Sequence, residues 1–251
     1  MKKLKNLFKN NKSILSIYFT AGYPKLEDTN RILLKLEAAG VDLVELGMPY
    51  SDPLADGPTI QTCSTIALEN GMSLEILFKQ LELAKTEVNI PIILMGYYNQ
   101  MLQYGVEAFL KRAASLGVAG LILPDLPLAE YESQYQSLFE KYDLGISFLI
   151  TPETSAARIL EIDRLSRGFV YVVSSSATTG ARSSFSAKQI SYFERLQKME
   201  LKNPMLIGFG VHNKDTFDAA CRYASGAIVG SAFIRALGEG LPVPQFVNQF
   251  Y

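Results

Sequence analysis

Eight short apolar runs punctuate the chain: Ile14–Thr20, Leu43–Leu46, Ile92–Met95, Gly120–Leu123, Gly145–Ile150, Phe169–Val173, Met205–Gly208 and Ala227–Val229. Each is the length of a strand, and most are apolar at consecutive positions rather than alternate ones. That pattern suits strands covered on both faces, as in a parallel sheet. Between the runs lie segments whose apolar residues recur at helical spacing. In "LEDTNRILLKLEAAG", Ile32, Leu33 and Leu36 share one face, and Gly40 stands where a helix C-terminus needs glycine. In "SLEILFKQLELAK", Ser73 is positioned as an N-cap and Leu74, Leu77, Phe78 and Leu81 form the apolar stripe. "AEYESQYQSLFEKY", "SAARILEIDRLS", "AKQISYFERLQKM" and "KDTFDAACRYA" repeat the plan.

One unit recurs. "AAGVDLVELGMP" and "SLGVAGLILPDLP" each read as a helix end, a glycine cap (Gly40, Gly117), a valine and an apolar strand closing at proline. Eight strands alternating with helices over 251 residues match a (β/α)8 TIM barrel, expected as one domain spanning 1–251 with a short N-terminal helix. A doubly wound open sheet is the alternative. It lacks support because "TAGYP", after the first strand, does not carry the GxGxxG spacing of a dinucleotide turn. The segment after the eighth strand reads as a short final helix.

Composition narrows the function classes. Lys plus Arg is 24 and Asp plus Glu 25, for a net charge of −1, so no basic excess points to nucleic acid. The chain is 48% hydrophobic, enough for a large core. Cys63 and Cys221 lack partners at metal-ligand spacing and read as buried thiols. The basic start "MKKLKNLFKNNK" is not followed by an apolar stretch long enough for export or membrane spanning, so a soluble cytoplasmic protein with no metal is expected.

In such a barrel the chemistry belongs at the carboxyl ends of the strands. Glu45 stands near the end of the second strand between Val44 and Leu46, where burial would raise its pKa and suit it to acid–base work. A structural carboxyl paired with a neighbour is the competing reading. Asp56 follows in a Pro/Gly-rich loop with Asp52, and either could equally serve an Asx turn. Late in the chain, "SSSATTGARSS", "IGFGVH" and "AIVGSAFIRAL" follow the sixth, seventh and eighth strands. Glycines at such turns, beside a short helix N-terminus, suit a phosphate. Gly210, Gly230 and Ser231 are the expected backbone donors, in a cradle that needs no lysine. Tyr18, Tyr97, Tyr171 and Phe209 fall near strand ends and could wall a slot for a planar ring, or simply fill the barrel. His212, the only histidine, reads as an exposed loop residue.

The stretch "ELGMPYSDPLADGPTIQ", with "LMGYYN", "LILPDLP", "FVYVVSSSATTGAR", "GFGV" and "GAIVGSAF", resembles the tryptophan synthase alpha subunit family over nearly the whole chain. The resemblance implies a barrel that splits indole-3-glycerol phosphate by a retro-aldol step into indole and glyceraldehyde 3-phosphate. Glu45 and Asp56 match the catalytic carboxylates. Gly180, Gly210, Gly230 and Ser231 match phosphate binders, and Thr179, Gly180 and Arg182 fall in the mobile loop after the sixth strand. Tyr171 and Phe209 match walls of the indole pocket, while Tyr18 stands where phenylalanine is frequent. Ser175 replaces an arginine of some members. The resemblance also implies no cofactor in this chain, and a pyridoxal-phosphate beta subunit as partner in an alpha2–beta2 assembly. Another phosphate-binding barrel, or a catalytically idle regulatory subunit, are the competing classes. The "SDPLADGP" loop argues against the first, and the intact carboxylate pair against the second.

Overall fold

The computed structural model describes residues 1–10, 13–174 and 184–251. Its strands are β1 (Ile14–Thr20), β2 (Leu43–Gly47), β3 (Ile92–Met95), β4 (Gly120–Ile122), β5 (Gly145–Ile146), β6 (Leu149–Ile150), β7 (Val170–Val173), β8 (Met205–Gly208) and β9 (Gly226–Val229). They form one parallel sheet in the order β5-β4-β3-β2-β1-β9-β8-β7-β6. The two ends of that order are β5 and β6, which only Ser147 and Phe148 separate along the chain. The sheet therefore closes on itself as a barrel, with helices outside.

Eight strands were expected, and the fifth is split. Its first half pairs with β4 and its second with β7. At the break, the Ser147 N–H donates to Leu121 O (3.1 Å) while the Phe148 carbonyl accepts from Tyr171 N (3.0 Å), so the chain changes neighbours there. Gly145 and Gly120 permit a tight approach: a Cβ on Gly120 would sit 2.9 Å from the Gly145 carbonyl oxygen.

The helix ends obey the glycine pattern. Gly40 and Gly117 have φ of 89° and 79°, the left-handed region that favours glycine. Val41 N–H reaches back to Leu36 O and Val118 N–H to Ala113 O (3.1 Å each), which satisfies carbonyls the helices would otherwise leave open. Ser73 caps the helix Leu74–Ala84 by accepting from Ile76 N. The expected helix around "AEYESQYQSLFEKY" is present but includes a π-helical turn, Tyr131–Tyr135. After β9 come the helix Ser231–Gly238 and a further short one, Val243–Val247.

Two cores result. One lies between sheet and helices; the other fills the barrel with Ile14, Tyr18, Leu43, Ile93, Phe169, Tyr171 and Leu206. The N-terminal helix Lys2–Asn10 stoppers the latter at its amino end. Its Leu4 is buried, and Phe8 lies 5.9 Å from Phe169, centroid to centroid. With that end filled, the opposite end is left for ligand.

Candidate active site

Ligand space opens at the carboxyl ends of the strands as a cavity of about 440 Å³. Its apolar wall includes Tyr18, Tyr171, Phe209, Ile60, Met95 and Ile228, and its other end includes Gly210, Gly230 and Ser231. The two tyrosines are held alike. Tyr18 leans over Gly47 at the end of β2, and Tyr171 over Gly208 at the end of β8; a side chain at either glycine would collide with the phenol.

Glu45 is completely buried and does not itself line this cavity. In the β-ladder it stands in register with Tyr18 on one side and Ile93 on the other, both members of the barrel interior, so its side chain points inward. Ser16 Oγ donates to Oε1 at 3.1 Å, and Oε2 has no hydrogen-bond partner among the described residues. Burial raises this carboxyl from 4.5 to about 8, against a smaller opposing effect of the Ser16 bond. The group thus holds its proton at neutral pH. Among the described residues no arginine or lysine pairs with it, which argues against the reading of a charge-paired structural carboxyl.

Asp56 reaches the cavity from the loop after β2. The Tyr97 hydroxyl donates to Oδ2 at 2.9 Å and accepts from Ala55 N at 2.9 Å. Burial lifts this carboxyl from 3.8 to about 6, and the Tyr97 bond holds it lower than burial alone would. Asp56 is therefore mostly ionised where Glu45 is protonated. Both carboxylates act on one phenol: burial first, then the charges of Glu45 and Asp56, push Tyr171 well above its usual value. Two acids that titrate apart around one apolar slot can divide donor and acceptor roles.

Tyr97 takes a different place from the one expected. It is absent from the cavity wall, stacks on Tyr50 (centroids 5.2 Å apart) and supports Asp56 from behind. Asp52 is exposed and accepts from its neighbour Ser51.

At the far end, backbone geometry builds the turn. Phe209 and Gly210 both take left-handed φ, 66° and 77°. For a phenylalanine that conformation is strained, and Ser174 Oγ clamps its carbonyl at 2.6 Å. Gly230 precedes the helix Ser231–Gly238, whose N-terminus faces the cavity. His212, expected as a free loop residue, lines the cavity half-buried, with Nδ1 2.9 Å from Gly210 O. Arg235 and Lys188 line it too. The sequence reading passed over both; Arg235 stands one helical turn after Ser231, a spacing that could have flagged it. The cradle is thus less neutral than expected. Thr179, Gly180, Arg182 and Ser175 lie outside the described residues. Cys63 is buried and Cys221 half-buried. Among the described residues no cluster of His, Cys, Asp and Glu could hold a metal, and no helix is long and apolar enough to cross a membrane.

Against known proteins, residues 4–247 match the family model described as tryptophan synthase alpha chain. The tryptophan synthase alpha chain of Flavobacterium johnsoniae is 56% identical over 239 residues, covering 95% of this chain and 94% of that one. Among solved structures, Mycobacterium tuberculosis tryptophan synthase superposes with a TM-score of 0.87 at 34% identity, covering 99% of this chain and 95% of that one. The tryptophan synthase complex from Pyrococcus furiosus gives 0.87 at 30% identity, covering 96% and 98%. A barrel with this cavity, matched from end to end at these identities, belongs to the tryptophan synthase alpha chain family.

Proposed function

We infer that this chain, acting over residues 1–251 as one barrel domain, cleaves indole-3-glycerol phosphate to indole and glyceraldehyde 3-phosphate, with Glu45 and Asp56 as its acid–base pair. The observation that carries the roles is the separation of the two carboxyls, about 8 for Glu45 and about 6 for Asp56.

The retro-aldol step needs a proton on the ring carbon that leaves and removal of the proton from the side-chain hydroxyl. Glu45 starts protonated and donates to the ring carbon; the resulting carboxylate accepts the hydroxyl proton as the aldehyde forms. Asp56, ionised, accepts a hydrogen bond from the indole N–H and stabilises positive charge on the protonated ring. Tyr18, Tyr171 and Phe209 pack the ring. Gly210, Gly230 and Ser231 present backbone N–H groups and a helix N-terminus to the phosphate, with Arg235, Lys188 and His212 on the same cavity wall.

These protonation states fix the pH response. kcat/KM should rise as Asp56 ionises near pH 6 and fall as Glu45 loses its proton near pH 8, a bell centred close to 7. Initial rates from pH 5 to 9 test this, and a flat profile over that span would remove the assignment of roles.

A beta subunit carrying pyridoxal phosphate is the partner we infer, docked over the cavity mouth in an alpha2–beta2 assembly in the cytoplasm. The family is named for one chain of a synthase, and the Pyrococcus furiosus relative is a complex. At the rim, Leu54 is 94% exposed and Leu102 43%. Nearby, Met101 is buried and Tyr104 packs on Phe78 and Phe109, so neither is open to a partner in the way Leu54 is. Light scattering with the cognate beta subunit should show a complex at micromolar concentration and a faster alpha reaction. Absence of either would make the chain a free-standing lyase.

A further inference from the structure

The Tyr18 hydroxyl does not stop at the pocket wall. It lies 3.4 Å from Thr20 Oγ1, Thr20 Oγ1 lies 2.9 Å from Cys63 Sγ, and Cys63 Sγ donates to Ile60 O at 3.1 Å. A carbonyl can only accept, so the chain has one direction: Tyr18 O–H to Thr20, Thr20 O–H to Cys63, Cys63 S–H to Ile60. The last acceptor lies in the first turn of the helix Pro58–Glu69, which begins two residues after Asp56. That turn is also tied to the loop by Gln61 Nε2, which donates to Asp56 O at 2.9 Å, and by Ile60 N, which donates to Gly57 O at 3.0 Å.

We propose that the Tyr18–Thr20–Cys63 chain is a positioning device that fixes the Asp56 loop against β1 for the reaction; this rests on the catalytic reading of Asp56. The ring of Tyr18 joins both ends of the site. On one edge its Cβ and Cδ1 lie 3.5 Å from where a Cβ on Gly230 would be, and on the other its hydroxyl covers Gly47. Asp56 is thus held twice: by Tyr97 at the carboxylate, and by this chain through the backbone that follows it. Burial keeps the Cys63 thiol protonated, pushing it up to about 11, so it remains a donor over the working pH range. Of the three bonds only Thr20–Cys63 passes from β1 to the helix, and the Tyr18 hydroxyl orients the Thr20 hydroxyl that makes it; a phenylalanine at position 18 could pack the pocket equally well but could not do this. Cys63 is accordingly a positioning residue, not a nucleophile.

The test uses the intact chain and indole-3-glycerol phosphate. Tyr18→Phe and Cys63→Val each keep shape but break the chain. Each should lower kcat about tenfold, the scale of one lost hydrogen bond, while KM changes less than about twofold. Cys63→Ser keeps donor and acceptor and should restore most of the rate. The double variant should be no slower than either single one, because links in series fail together. The acid limb of the pH profile, near 6 in the parent, should move in Tyr18→Phe and Cys63→Val as Asp56 loses its setting. Additive losses, an unmoved acid limb, or a serine variant as slow as the valine variant would show that these residues only pack. If instead Asp56→Asn keeps wild-type turnover, the reading of Asp56 fails first; if Asp56→Asn is dead while both chain-breaking variants are fully active, only this inference falls.

Discussion

Glu45→Gln should leave a folded protein that turns over at least about 10²-fold more slowly than the parent, the scale of a lost general acid–base group. Asp56→Asn should do the same. The Glu45 variant carries a second, independent signature. Burial raises the native carboxyl from 4.5 to about 8, so between those values the folded state holds a proton that the unfolded chain releases. Stability therefore falls as pH rises through this window, by up to about 1.4 kcal/mol per pH unit, and levels off above 8. Glutamine has no such proton. The variant should lose less stability than the parent between pH 5 and 8, and exceed it toward pH 8, while being nearly inactive. Urea denaturation at several pH values, beside initial rates, reads both effects. An active variant, or one with the parent's pH dependence of stability, would mean that Glu45 is an ordinary buried residue of the barrel interior.

Gly230→Asp should cost most of the affinity for the phosphate end of the substrate. The nearest atoms a Cβ at this position would meet are Tyr18 carbons at 3.5 to 3.8 Å, ordinary contact distances, and φ is −114°, so the fold should accept a side chain. The carboxylate would then stand at the N-terminus of the helix Ser231–Gly238, where a substrate anion is expected, and repel it. Loss of affinity for glycerol phosphate should exceed about tenfold, with Gly230→Ala falling well short of that. Calorimetric titration separates the two. Equal binding by the aspartate variant and the parent would place the phosphate elsewhere in the cavity.

What the sequence shows, and what it hides, follows from how far apart the deciding groups lie. Helix caps are local: Gly40, Gly117 and Ser73 each act within five residues, and each is where the pattern put it. Glu45 stood out because a carboxylate between Val44 and Leu46 conflicts with its surroundings. Its protonation follows from burial and, among the described residues, from one further group, Ser16. The split of the fifth strand was not legible. Residues 145–150, "GISFLI", read as one strand with a single polar residue, Ser147, and the reason for the break is a change of neighbour from β4 to β7. Tyr97 was misplaced for a related cause: proximity to a strand end says nothing about whether a ring faces the cavity or the loop behind Asp56. Cys63 lies 43 residues from Thr20, and nothing local to either announces their bond. His212, Arg235 and Lys188 come from a loop and two separate helices, which only the folded barrel brings to one wall.

The split strand also governs where the barrel wall is stiff. β1 and β2 run side by side through five registered pairs, whereas β5 with β4 and β6 with β7 manage two each. Backbone ladders resist opening roughly in proportion to their length and to the packing around them. Opening of the closed sheet is thus easiest where the ladders are shortest: at β8 with β9, which also share two pairs, and at the seam at Ser147 and Phe148, three strands from β2 in one direction around the ring and five in the other. Glu45 and Tyr18, which must keep their mutual placement through every turnover, ride on the part of the wall that yields last.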